Sequence, residues 1–135
     1  NQYRENRIRI MGYAMKDLLK ITPYGVAYIV LDKKTLKDYE IEEGETEGFV
    51  NMPLSTASVR MSLLLKEDDG KVRVSIRSRK GTSANRCARL HFNGGGHENA
   101  AGGKLYIPED IKDISQAAAY IEDHTYMFLK EEDEK

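Results

Sequence analysis

His97 follows three consecutive glycines, Gly94, Gly95 and Gly96, and precedes Glu98-Asn99 and then Ala100-Ala101-Gly102. A flexible linker has no use for a histidine and an alanine pair at these positions. Consecutive glycines reach backbone angles that turn several N–H groups into one concavity, and they carry no Cβ to hold a ligand away. A helix N-terminus placed behind them adds its partial positive charge. The run therefore predicts an anion site, with His97 as a hydrogen-bond donor to an oxyanion. On this reading "HENAA" opens a short helical turn, which the small Ala100 and Ala101 let pack tightly on a sheet. Gly102 then stops it with a left-handed residue.

The charge distribution points the same way. Ser58 to His91 carry nine Lys or Arg against three acids, a segment charge of +6, while the whole chain is −1 and the remainder −7. A basic patch beside a glycine run suits a polyanionic ligand. Metal chemistry is poorly provided for. The three histidines, His91, His97 and His124, are widely separated, and "EDHT" at 122–125 is too sparse to build a binuclear centre. The sequence thus predicts no catalytic and no metal-binding residue within this chain. Cys87, the one cysteine, excludes an internal disulfide and fits a reducing cytoplasm. No apolar run is long enough for a bilayer span, and "NQYRENRIRI" is no secretory signal.

These residues need a scaffold. At 135 residues, 40% hydrophobic and 32% charged, the chain is expected to form one domain with its own core. Ile10, Met11, Ala14, Met15 and Leu18 recur at helical spacing, so residues 4–20 read as an amphipathic helix. The chain starts within that pattern, which predicts a piece cut from a longer protein. "YGVAYIVLD" reads as a buried strand, "KKTLKDYE" as a short helix and "EGFVNMPLS" as another. "SVRMSLLLKE" and "KVRVSIRS" alternate on either side of "DDG", which predicts a hairpin with one face buried and with Arg60, Arg73 and Arg77 sharing the other. "TSANRCARLHF" reads as a helix capped by Thr82 or Ser83, with Ala84, Cys87, Ala88 and Leu90 or His91 inward. "KLYI" follows as a strand. The closing helix turns Ile114, Ala117, Ala118, Ile121, Tyr126 and Leu129 inward, and "KEEDEK" is expected to be a solvated, fraying end. The fold class is α/β (α+β): a mixed sheet of about five strands with a central hairpin, flanked by helices.

The string Gly94-Gly95-Gly96-His97-Glu98-Asn99-Ala100-Ala101-Gly102 resembles the "GGGHxxAAG" signature of the C-terminal DHH-associated domain of DHH-family phosphoesterases. "EGFVN" at 47–51, "SVRMSLLLKE" and "VSIRSR" at 74–79 resemble further blocks of that domain, in the same order. The resemblance is closest to the nanoRNase and pAp phosphatase branch, also described as exopolyphosphatase-related. It implies that residues 1–22 connect from an N-terminal DHH catalytic domain and that 23–135 form the substrate-binding domain. It further implies two Mn²⁺ ions, held by the catalytic domain and not by this chain, that activate the attacking water. Gly94, Gly95, Gly96 and His97 would then contact a phosphate, and Arg77, Ser78 and Arg79 would hold phosphate or base. Asn93 stands where many members have a fourth glycine, and asparagine tolerates left-handed geometry. The implied ligands are short single-stranded RNA or nucleotide phosphates, the implied partner is the catalytic domain, and a homodimer is possible. A second reading is a non-catalytic nucleic-acid-binding module like the C-terminal domain of alanyl-tRNA synthetases.

Overall fold

The computed structural model describes residues 2–135, so Asn1 of the expected connector lies outside the described residues. Helix α1, Glu5–Tyr13, continues into a widened π turn over Ala14–Leu18, closed by the Leu19 N–H donating to Ala14 O at 2.8 Å. Strands β1, Lys20–Ile21, and β2, Val26–Leu31, come next. Helix α2, Lys33–Asp38, is capped by the Asp32 carboxylate, which accepts from the Thr35 N–H at 2.8 Å. A 3₁₀ segment, Phe49–Ser55, leads to the hairpin of β3, Met61–Asp68, and β4, Lys71–Ser78. Helix α3, Ala84–His91, strands β5, Gly95–His97, and β6, Ala100–Tyr106, and helix α4, Ala117–Asp133, complete the chain.

The sheet has six strands in the order β1-β2-β3-β4-β6-β5, with only β2 and β3 parallel. The fold class is the expected one. The two strands that the sequence pattern does not announce are the shortest, β1 and β5, and each lies at an edge.

Helices α3 and α4 cover one face of the sheet. There Val26, Met61, Leu63, Leu65, Val74 and Ile76 are buried with Cys87, Ala88, Phe92, Ile121 and Phe128. On the other face α1 and the 3₁₀ segment close over Ile29, Leu31 and Leu64 with Ile10, Ala14, Phe49 and Val50. They cover only part of it. Along β4 and β6 the same face leaves Ser75, Arg77, Ala100 and Gly102 half-exposed and Arg73 and Lys104 exposed.

Four expectations about the elements are corrected. β3 is buried on both faces from Met61 to Leu65, because the 3₁₀ segment and α1 supply a second layer over Ser62 and Leu64. Arg60 leaves the face of Arg73 and Arg77 and turns toward α4, where its two terminal nitrogens meet the Asp133 carboxylate at 2.9 and 3.0 Å. Tyr126 is 52% exposed, and Thr125 and Phe128 take the inward positions of α4 instead. The acidic end is helical to Asp133 and tied down by Arg60 and by Arg86, whose Nε meets Glu132 at 3.0 Å.

Candidate functional site

The glycine run is not the start of a helical turn. Gly95–His97 is an edge strand, and His97 pairs with Ala100 to close a hairpin around Glu98-Asn99. Gly102 lies within β6, not at a helix stop. The glycines serve close approach of two backbones. A Cβ on Gly94 would sit 1.9 Å from Gly102 O, and one on Gly103 would sit 2.0 Å from Phe92 O. At Gly96 φ is +155°, and a Cβ would stand 2.8 Å from Ala101 Cα. Two of the N–H groups expected to face an anion are already used: Gly94 donates to Ala88 O at 3.1 Å and Gly96 to Asn85 Oδ1 at 2.9 Å. Asn93 adopts φ +52°, the left-handed geometry expected of it.

The hairpin tip is anchored by residues that the sequence reading passed over. Asn99 Nδ2 donates to Ser78 Oγ at 3.1 Å, Arg79 O at 3.0 Å and Thr82 O at 3.2 Å. Glu98 O accepts from the Ala84 N–H at 2.7 Å, and its carboxylate accepts from Ser83 Oγ at 2.8 Å. Ser83 also caps α3 by accepting from the Arg86 N–H at 3.0 Å. The β5–β6 turn and the start of α3 are therefore one rigid corner. An asparagine beside a glutamate in a two-residue gap was the signal for it, since such side chains bond to nearby backbone in turns.

Arg77 and His97 each pair with Ala100, from the strands on either side of it. Ser62 pairs with Arg77, Arg77 with Ala100, and Ala100 with His97, so the four backbones lie in one cross-strand row, of which Ser62, Arg77 and Ala100 share the partly uncovered face. Two strand spacings separate the Arg77 and His97 backbones, about 10 Å. Arg77 makes only a local bond, to Ile76 O at 3.0 Å, and His97 is exposed. Ala100 between them keeps the floor low.

Ser78 and Arg79 do different work. Ser78 is buried and donates to Thr82 O at 2.6 Å. Arg79 donates to the carbonyls of Val59 at 2.6 Å, Thr56 at 3.0 Å and Leu54, which clamps the chain between the 3₁₀ segment and β3. Both build the wall beside Arg77.

His91 ends α3 and meets His124 of α4. Its Nδ1 shares a hydrogen bond with His124 Nδ1 at 2.9 Å, and His124 stacks on Tyr120 with centroids 3.8 Å apart. Burial lowers both imidazole pKa values below the usual range, so the neutral pair is favoured. Cys87 is buried, and burial pushes its thiol up to about 12. Among the described residues no group of three or more His, Cys, Asp and Glu is placed to hold a metal ion, so the Mn²⁺ pair that the resemblance implies finds no fitting ligand set there. No described helix is long and apolar enough to cross a membrane.

Comparison with known proteins adds family context. The family model described as the DHHA1 domain matches residues 14–122. A protein of Streptococcus mutans named probable bifunctional oligoribonuclease and PAP phosphatase NrnA is 33% identical over 109 residues, which cover 80% of this chain and 34% of that protein. The Bacillus subtilis protein named bifunctional oligoribonuclease and PAP phosphatase NrnA is 29% identical over 101 residues, 75% of this chain and 31% of that one. The crystal structure of an exopolyphosphatase-related protein from Bacteroides fragilis superimposes with a TM-score of 0.87 at 35% identity, covering 98% of this chain and 38% of that one. The chain thus spans about a third of the length of the curated relatives it matches.

Proposed function

Because this chain belongs to the DHHA1 domain family, we propose that its half-covered sheet face is the nucleotide-holding part of a phosphoesterase that acts on short RNA or pAp. The single observation that carries this reading is the row of Arg77, Ala100 and His97, which sets two side chains of phosphate-binding type on either side of a small residue. Arg77 supplies a bidentate guanidinium and His97 an imidazole donor. Gly94 and Gly96 bring the β5 edge against β6, and the glycine run leaves that edge without side chains beside His97. Ser78 and Arg79 hold the corner and the neighbouring loop in position, so their contribution to binding is the shape of the site.

The hydrolytic step belongs to a catalytic domain that supplies the Mn²⁺ ions, and none of it is assigned to residues of this chain. The alternative of an alanyl-tRNA synthetase module has no specific observation in its favour. Calorimetric titration of the chain with pAp tests the reading. Weak, salt-sensitive binding is expected, with a log–log salt slope of about 1–2 for the few phosphates engaged. No heat and no saturation at millimolar pAp would refute it.

A further inference from the structure

His91 and His124 have no part in the nucleotide reading, yet they join the end of α3 to the middle of α4. Their Nδ1 atoms are 2.9 Å apart, and their ring centroids are 5.1 Å apart with the planes at 74°. That centroid separation is close to the largest that the nitrogen contact permits, so the two Nδ1 atoms face one another head-on. A metal ion held by both at about 2.0–2.1 Å would need their lone pairs to converge to one side of that line. What fits on the line is one proton, donated by one Nδ1 and accepted by the other.

The surroundings hold the rings in this geometry. His124 stacks on Tyr120 with the planes at 11°, and His91 meets the Phe128 ring with centroids 6.1 Å apart. The Tyr120 hydroxyl donates to His91 O at 2.5 Å. The chain beyond His91 is the root of the glycine hairpin. Phe92 O accepts from the Lys104 N–H at 2.7 Å, and Asn93 Nδ2 donates to Lys104 O at 3.0 Å and to Asp110 Oδ2 at 3.1 Å. The charged groups that act on the pair are Glu131 and Asp123 on α4 and Asp110 on the turn after β6. The Tyr120 phenol and the Cys87 thiol near it stay uncharged, because burial raises both.

The two protons that the pair can add have different consequences. The first enters at the outer nitrogen, Nε2, of the donor ring. The N–H···N bond stays in place and becomes charge-assisted, with three acids facing the new cation. The second proton has only the acceptor Nδ1 left to take it. Two N–H groups and two positive rings then confront one another, and the bond is lost. Neither ring turns away freely, since one is stacked on Tyr120 and the other continues into the chain that Tyr120 holds.

We propose that the His91–His124 pair is an acid-operated hinge, which takes one proton without structural change and with a second parts α3 from α4 and opens the root of the glycine hairpin. The test follows histidine ring nitrogens and amide exchange by NMR from about pH 7.5 to about pH 4, in the unaltered chain and in His124→Gln. The two rings should titrate as a pair in two steps. Protection of the Gly94 and Lys104 amides should hold through the first step and then fall about tenfold per pH unit, as opening that takes up one proton requires. The amides of β2 and β3 should stay protected over that range. The fall should be absent in His124→Gln, whose amide can donate to His91 Nδ1 without gaining charge. Unchanged hairpin protection down to about pH 4 would overturn the hinge. So would a fall of about a hundredfold per pH unit, since both protons would then enter on opening. Simultaneous loss in β2 and β3, or the same fall in His124→Gln, would show general acid unfolding and would also overturn it.

Discussion

Arg77 and Arg79 lie two residues apart, yet their guanidinium groups have different occupations. Arg79 spends its donors on the carbonyls of Leu54, Thr56 and Val59, while Arg77 has one local bond and faces the exposed His97 across Ala100. Arg77→Ala and His97→Ala should therefore each weaken pAp binding by about 1.5–3 kcal/mol, the usual cost of a lost charge-assisted hydrogen bond. Their double-mutant cycle should show coupling, because both hold one ligand, and additive losses would separate them. Arg79→Ala should instead lower the stability of the free chain, measured by urea unfolding. The His91–His124 pair supplies a pH dependence. Both folded-state pKa values lie below the 6.5 of a free imidazole, so the unfolded chain binds more protons in that window. Their contribution to stability is present above about pH 6.5 and is lost as pH falls through the folded values. The nearby Asp110, Asp123 and Glu131 moderate the shifts without reversing them. His124→Gln should reduce the slope of stability against pH between 7.5 and 5, and an unchanged slope would contradict the assignment.

The glycine run shows where an element can be read from sequence and where it cannot. Alternation carried the β3–β4 hairpin, and Ser83 announced the start of α3, because side-chain periodicity and capping chemistry are local. Gly94–Gly96 have no side chains and hence no periodicity, so helical turn and edge strand were equally open to pattern reading. The choice is made by distant partners: Gly102 and Gly103 admit the backbone of residues 92–94, and Asn85 and Ala84 bond the hairpin from α3. The same holds for β3, whose second buried face depends on Phe49 and Val50 of the 3₁₀ segment. The signature string therefore marked the domain family correctly while its local geometry waited on tertiary contacts. A prediction follows at this scale. Gly94→Ala places a methyl group 1.9 Å from Gly102 O, which no rotamer relieves, so the β5–β6 pairing must open. The loss should reach or exceed the usual 1–3 kcal/mol of an overpacked core, about 3 kcal/mol. Gly44→Ala is the useful contrast. Its Cβ would meet nothing within 4 Å, so only its φ of +87° opposes the change. Equal stability losses in the two variants would show that backbone crowding is not what the glycine run is for.

Across the whole molecule the two faces of one sheet are put to different uses. Helices α3 and α4 seal one face with the larger apolar cluster, and the acidic end of α4 neutralises Arg60 and Arg86 on that side. The other face is sealed only over β2 and β3, and its open half carries the half-exposed Arg77 and the exposed Arg73 and Lys104. This division accounts for a near-neutral chain that still offers a basic surface. Under the proposed function it also separates binding from chemistry. The purified chain with added Mn²⁺ should show no hydrolysis of pAp or a dinucleotide, and metal-dependent turnover by this chain alone would contradict that separation. Under the proposed function, His97→Ala and Arg77→Ala in a full-length phosphoesterase carrying this domain should lower turnover while leaving metal binding intact. The most direct test of the account is an NMR titration of the chain with pAp, following backbone amide shifts residue by residue. The account predicts saturable shifts centred on Arg77, Ala100, His97, Gly95 and Gly102, and little change in α4. Shifts concentrated on α3 and α4, with the amides of Arg77 and His97 unmoved, would contradict it.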